Sequence, residues 1–581
     1  MTSGFQPFLI SEFKAGIQTY LQPWVRSRDA FSPLVNAYVY RGVVQKRTGY
    51  SPFGFPIADG LPVMGLMRYI NQADSTNELL AATTRNLYLF NEGTLNYDLL
   101  TLPSTPAQFN GTIANFFNYT NWQTLVGTPS YLIMTNNVDP VTFYNGAIAV
   151  PGGATQPDLW IQPVPTLPTP PTARRKIGTC LDVKIYKERL LFIRPTIVQA
   201  DGTVIGTENQ SIYWSQVSNP FLTIPGSSGG APGFLAAPTG DAIQATEFLR
   251  DQLVVFFTNS TWIFRYTGNY TTPFRWDKIN NSKSTTAPYA SIDYDEKCTS
   301  VGNTGLIASD GVNVQRYDIP IVDYYETQFS QTYFAQTFAQ RYDNLSQGWM
   351  LYVSNSSPFD PVDNIAPGSD KALIYNFIEE TWATYSWPVP MTCLGTFFSD
   401  IGLTWAALMQ PWEDTPQAWN AYQAQKGTLL LLAGDVNGNV YQMDQGTSLT
   451  DNGTPIIPEV VSAKWNPVIQ MGSKTQFGHI DIYYTLPVSS DQPPVSLTLN
   501  FYLDNNKGVA TTRTLTMDSS GPSTGSTSNF KRIYINLVGE FVRMEIKESL
   551  LSSNVNPFFK FLGFILWARP AGRLTSGLTL S

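Results

Sequence analysis

Apolar and polar positions along this 581-residue chain alternate far more often with period two than with the 3.6 of a helix. Seven times between about residues 60 and 455 an apolar strand, a polar turn and a second strand with an aromatic follow one another. They are Leu79–Ala82 with Leu87–Phe90, Tyr131–Met134 with Val141–Tyr144, Leu190–Ile193 with Ser211–Trp214, and Leu253–Phe257 with Trp262–Tyr266. Gly305–Ala308 with Val312–Tyr317, Trp349–Val353 with Leu373–Phe377, and Leu429–Val436 with Asn439–Met443 complete the series. In the last, Asn437-Gly438 predicts a two-residue type I′ turn, which needs positive φ at both central positions. A lone helix is expected at Tyr325–Arg341, where Tyr325, Phe329, Tyr333, Phe334 and Phe338 recur at helical spacing.

A hairpin cannot bury both of its faces alone. Stacking such units radially buries them mutually and leaves short edges, so the expectation is a β-propeller of six to eight blades over residues 59–460. Separate β-sandwiches would also space strands regularly, but the unbroken run of hairpins favours the propeller. Segments 151–175 and 354–370 are expected to leave the disc as loops, the first of them polyproline-like. After residue 460 alternation becomes strict: Val495, Leu497, Leu499, Phe501 and Leu503 on one face, and Val542, Met544 and Ile546 against Arg543, Glu545 and Lys547. Residues 461–570 are therefore expected to form an antiparallel β-sandwich, 1–58 an arm with a first strand, and 571–581 an extended tail.

Composition sharpens this all-β picture. Charged residues make up 14% of the chain and aromatics 13%, the reverse of a disordered polypeptide. Net charge is -8, so a broad basic face for gripping nucleic acid is not expected. The one dense basic run, Arg174-Arg175-Lys176, reads as a solvated strand edge. Cys180, Cys298 and Cys393 are few, odd in number and far apart, the pattern of thiols in a chain made in a reducing cytoplasm. Neither a leader peptide nor a membrane-spanning helix is expected, since the apolar stretch Phe558–Ala568 is short and broken by Lys560.

The search for catalytic chemistry returns no catalytic, cofactor-binding or metal residues. The one histidine, His479, lies on a strand with no nucleophile motif beside it. Gly226–Gly230 lacks the Lys-Ser/Thr of a phosphate loop, and Asp435–Asn439 lacks the closing Glu of a calcium loop. Asp295-Glu296 and Glu379-Glu380 are carboxylate pairs, but adjacent strand residues point to opposite faces. Carboxylates from different blades could still converge.

The passage Pro33–Tyr50, with Asn36, Gly42 and the turn Lys46-Arg47-Thr48-Gly49, resembles the opening of tail proteins of short-tailed bacteriophages, Thr48 standing where those have Pro. Ile212–Pro220 and Phe256–Phe264, the latter followed by Gly268 and Pro273-Phe274, are similar to blade motifs of nozzle, or packaged-DNA stabilisation, proteins. The resemblance spans about the first three quarters of the chain. It implies a virion protein made in the host cytoplasm, forming a hexameric ring beneath portal and adaptor, in contact with tail fibres. Such a ring retains double-stranded DNA and conducts it without sequence-specific binding. A host-surface adhesin and a virion-associated glycosidase are the alternative expectations.

Overall fold

The computed structural model describes residues 4–573 except 72–75, 103–107, 124–129, 150–157, 163–173, 227–229, 286, 295, 303, 324–334, 344–346, 353–368, 399–428, 446–449, 468–472, 486–494, 518–527 and 549–558. Seven β-meanders follow one another. Blade 1 is Val63–Asn71, Thr76–Thr83, Leu87–Asn91 and Asn96–Leu100; blade 2 is Asn118–Trp122, Tyr131–Thr135, Thr142–Tyr144 and Ile148–Ala149. Blade 3 is Arg175–Tyr186, Arg189–Gln199, Ser211–Trp214 and Gly233–Ala236, with Val204–Thr207 added to its second strand. Blade 4 is Ile243–Leu249, Gln252–Phe257, Thr261–Tyr266 and Phe274–Asn280; blade 5 is Ile292–Tyr294, Lys297–Gly302, Gly305–Ser309 and Val314–Arg316.

Blades 6 and 7 share one strand. Thr381–Phe398 pairs through Thr381–Ser386 with Ser369–Asn376, whose other neighbour is Gln347–Tyr352, itself paired with Phe338–Tyr342. Beyond Pro388 and Pro390 the same strand pairs through Met391–Phe398 with Leu429–Asp435, followed by Val440–Gln445. The fourth strand of blade 7 comes from the other end of the chain, Gly49–Pro52, antiparallel to Val440–Gln445. First and last blades then meet directly: Thr392 Oγ1 donates to the Val63 carbonyl at 2.6 Å. Glycines permit that approach, because a Cβ on Gly434 would lie 2.6 Å from Val63 Cβ and one on Gly395 2.6 Å from the Leu66 carbonyl oxygen. The ring is a closed seven-bladed β-propeller.

Six of the seven hairpins read from the sequence are the second and third strands of a blade, and the unit at Gly305–Tyr317 is a third and fourth. These middle strands are buried on both sides, as in Leu253, Val254, Val255, Phe256 and Phe257, so they carry the strongest apolar signal. The Asn437-Gly438 turn is a correction. Asp435 N donates to the Asn439 carbonyl, giving a four-residue connection with positive φ at Gly438 only. Asp435 closes it, one carboxylate oxygen accepting from the backbone N–H groups of Asn437 and Asn439. Most of the expected helix at Tyr325–Arg341 lies outside the described residues, and its end, Phe338–Arg341, belongs to a strand.

Apart from Thr450–Asp451 and Thr454–Pro455, which attach to Gly49–Pro52, the remaining strands form a sandwich. One sheet runs from Ala37–Tyr40 and Val43–Lys46 to Lys560–Arg573, Ser473–Thr485 and Ser528–Gly539, with Gln6–Ser11 also on Lys560–Arg573. The other runs Phe31–Val35, Glu459–Ser462, Val542–Glu548, Val495–Leu503, Thr511–Met517. Leu497, Leu499, Phe501, Val542, Met544 and Ile546 face the core as their alternation predicts, against Trp465, Ile480, Phe561 and Phe564. The amino-terminal segment is thus no separate arm: it supplies strands to both sandwich sheets and to blade 7. Residues 571–573, expected in the tail, continue the last strand; segment 354–370 lies almost wholly outside the described residues.

Candidate functional site

The first strands of consecutive blades approach one another and form the inner wall of the propeller. Inter-blade hydrogen bonds lie there. Asn121 donates to the Arg68 carbonyl at 2.8 Å and Asn118 to the Leu181 carbonyl at 3.1 Å, joining blades 1, 2 and 3. The strand Leu181-Asp182-Val183-Lys184 of blade 3 directs Val183 into the core shared with blade 2, and Asp182 and Lys184 toward blade 4.

Charged side chains of four blades lie at this wall in two clusters. Lys184 Nζ lies 3.3 Å from Glu247 of blade 4 and 3.9 Å from Asp182. Asp182 is buried; its oxygens accept from Thr246 Oγ1 at 2.7 Å and from Val183 N at 2.8 Å. Glu247 accepts from Phe248 N at 2.9 Å. Next in the ring, Arg341 of blade 6 holds Asp293 of blade 5 at 3.3 Å and also pairs with Asp343. Burial pushes the Asp182 and Glu247 carboxyls above their usual range, and Lys184 opposes the shift in both. Burial works against the Lys184 charge too, but Glu247 and Asp182 outweigh it and raise the ammonium. Each carboxylate is therefore engaged by a hydrogen-bond donor and by one cation. A general acid–base pair needs its two carboxyls on opposite sides of a bond with room for substrate between them, whereas here a lysine occupies the space.

Sequence reading missed this cluster. Its signal was the interruption of an apolar strand by Asp182 and Lys184, but which blade supplies Glu247 depends on inter-blade register. Of the pairs named from sequence, the members placed here lie outside this cluster. Asp295 lies outside the described residues, Glu296 is exposed and paired with Arg250 at 2.6 Å, and Glu379 accepts from the Arg41 backbone at a hairpin tip.

His479 lies on the outer face of the sandwich among Phe5, Tyr534 and Trp567, its ring stacked on Trp567 at 5.3 Å. Burial, then the neighbouring Arg532, lowers its pKa, so it is neutral near pH 7. Arg174 stacks on Trp160 at 4.0 Å and Lys176 pairs with Asp158 at 2.9 Å, tying the basic triplet to its own strand edge. All three cysteines are buried, and burial raises each thiol pKa. Residues 227–229 of the glycine-rich stretch lie outside the described residues. Among the described residues no group of three or more His, Cys, Asp or Glu side chains is placed to hold a metal ion, and no helix is long and apolar enough to cross a membrane.

No known family profile and no curated protein matches the chain. Solved structures similar to it include the extracellular domain of a hybrid two-component system of B. thetaiotaomicron, at 9% identity and a TM-score of 0.32, over 74% of this chain and 43% of that one. The chain thus spans less than half of that structure's length. Kluyveromyces lactis Hsv2 is 10% identical with a TM-score of 0.26, over 56% of this chain and 97% of that one. A glycoside hydrolase is 9% identical with a TM-score of 0.23, over 89% and 99%. At such scores these likenesses carry no argument, and the fold rests on the sheet topology.

Proposed function

We propose that this chain is a structural, non-enzymatic subunit of a short-tailed bacteriophage tail, forming a hexameric ring beneath the portal and adaptor. The ring retains packaged double-stranded DNA, conducts it during ejection, and offers surfaces to tail fibres. The observation that carries this reading is the position of the segment through which the chain resembles that family. Residues 33–50 sit at the junction of propeller and sandwich, where Asn36 and Arg47 bond to Ser386 and Asp451 and Gly49–Pro52 completes blade 7. The motif is the joint on which the two-body architecture depends.

The electrostatics support the same role. Duplex DNA carries one negative charge per roughly 1.7 Å of its axis, and a lysine- and arginine-lined passage would hold it fast. Here the net charge is -8, and Lys184 and Arg341 of the inner propeller wall are neutralised by carboxylates. In this reading the passage runs between subunits.

Two measurements test the proposal. Immunogold labelling of particles carrying the protein is expected to mark the tail, and the purified chain is expected not to shift free duplex at physiological salt. Particles lacking the protein, or tight salt-sensitive duplex binding, would overturn it.

A further inference from the structure

The chain contains the pairs Asn110-Gly111, Asn145-Gly146, Asn437-Gly438 and Asn452-Gly453. Such a pair can react with itself: the glycine nitrogen, which no side chain shields, attacks the asparagine Cγ and closes a cyclic imide. Closure needs a carboxamide free to swing and a peptide free to turn, until the two atoms lie about 3–3.5 Å apart. Asn110 is pinned. Its Nδ2 donates to Asp139 Oδ1 at 2.9 Å, and its backbone N–H donates to both oxygens of that buried carboxylate. Asn437 has an exposed side chain but a fixed backbone. Its N–H donates to Asp435 at 2.8 Å, the Gly438 carbonyl accepts from Ile57, and buried Gly438 packs against Gly60. Asn452 donates its N–H to the Tyr50 carbonyl at 3.0 Å, and the Gly453 nitrogen that would attack donates to Thr450 Oγ1 at 3.3 Å.

Asn145-Gly146 has none of these restraints. It lies in the tip that joins Thr142–Tyr144 to Ile148–Ala149, the third and fourth strands of blade 2. Asn145, Gly146 and Ala147 are all exposed, and a Cβ on Gly146 would meet nothing within 4 Å. Among the described residues the tip is closed by Asn145 N donating to the Ala147 carbonyl at 3.2 Å, and neither the Asn145 carboxamide nor the Gly146 N–H has a partner. Both reacting groups are therefore free to move toward each other.

We infer that Asn145 is a site of spontaneous modification that loosens the outer edge of blade 2. The Gly146 nitrogen gives up its proton and bonds to Cγ, the Cγ–Nδ2 bond breaks, and Nδ2 leaves with that proton as ammonia. Water then opens the imide. Opening at Cγ yields aspartate; opening at the main-chain carbonyl yields isoaspartate, which routes the backbone through Cβ and lengthens it by one carbon. Both products add a negative charge. The fourth strand of blade 2 is held by two residue pairs, Phe143 with Ala149 and Tyr144 with Ile148. A longer tip breaks that register and draws Ile148 away from the core shared by blades 1 and 2.

The test is peptide mapping by mass spectrometry of the full-length chain incubated at pH 8, both native and in urea. In the native chain Asn145 is expected to convert about tenfold or more faster than Asn110 and Asn437, since a hydrogen bond to a carboxylate that must first break is worth about that factor. Asn452 is also expected to lag behind Asn145. In urea the four rates are expected to converge, because each asparagine precedes a glycine and the restraints are gone. Amide hydrogen exchange at Ile148 and Ala149 is expected to quicken in the aged chain and to stay slow in Asn145→Gln incubated alongside it. Equal native rates at the four pairs, or an intact Asn145 where another pair has converted, would overturn the site. Unchanged exchange in a converted chain would overturn the loosening of blade 2.

Discussion

Arg47 and Asp451 form a two-pronged ion pair, at 2.8 and 2.5 Å, with both side chains 3% exposed. Arg47 also donates to Asn36 Oδ1 at 2.8 Å and to the Ser386 carbonyl at 2.8 Å. One guanidinium thereby ties the amino-terminal segment to the strand shared by blades 6 and 7 and to the chain leaving blade 7. Burial raises the Asp451 carboxyl and Arg47 opposes that shift, so removing the arginine leaves a buried, uncompensated charge.

Arg47→Met is therefore expected to cost about 3–5 kcal/mol in urea unfolding. The double change Arg47→Met with Asp451→Leu should recover much of that loss, since two apolar side chains leave no stranded charge. A double variant no more stable than the single one would show that the pair acts through something other than charge compensation.

Lys184 is expected to control the pH dependence of stability. In Lys184→Met the Asp182 and Glu247 carboxyls lose their shared cation and rise further above their unfolded values. A carboxyl whose folded pKa is raised binds its proton more tightly in the folded state, so stability falls as pH rises through that pKa. The variant should thus be markedly less destabilised at pH 5 than at pH 8, by denaturant titration at both. An equal loss at the two values would contradict the assignment.

Ring closure depends on two small residues. Gly434→Ala and Gly395→Ala place a Cβ 2.6 Å from Val63 and Leu66, and Leu66 offers backbone that cannot turn aside. Each is expected to lower stability by about 1–3 kcal/mol, the usual cost of overpacking. Thermal melts of the two variants check this; unchanged melting would mean that blades 7 and 1 lie farther apart.

The cysteines offer a test of compaction. Buried and with raised thiol pKa values, Cys180, Cys298 and Cys393 should resist a thiol reagent in the native chain at pH 8. All three should react at once in denaturant. Rapid labelling of the native chain would show that inner blades open readily.

The sequence made the blade interiors legible and the joints illegible, for a physical reason. Middle strands such as Leu253–Phe257 are packed on both faces, so burial writes itself into consecutive apolar residues. Gly49–Pro52 carries no such run, and its partner Val440–Gln445 lies some 390 residues away, so nothing local marks it as a strand of blade 7. Pro388 and Pro390 suggest a break in what is one strand turning from blade 6 into blade 7. The Asp182–Lys184–Glu247 cluster stayed hidden because its members meet only through inter-blade register. Phe338, at the end of the expected helical spacing, is a strand residue packed against Phe116, a contact some 220 residues away in sequence that no local spacing announces.

The central claim is that copies of this chain assemble around an open passage. Negative-stain electron microscopy of the purified full-length protein across a concentration series tests it most directly. The account predicts six-fold annular particles with a stain-filled centre between propellers. Single globular particles at every concentration would contradict it.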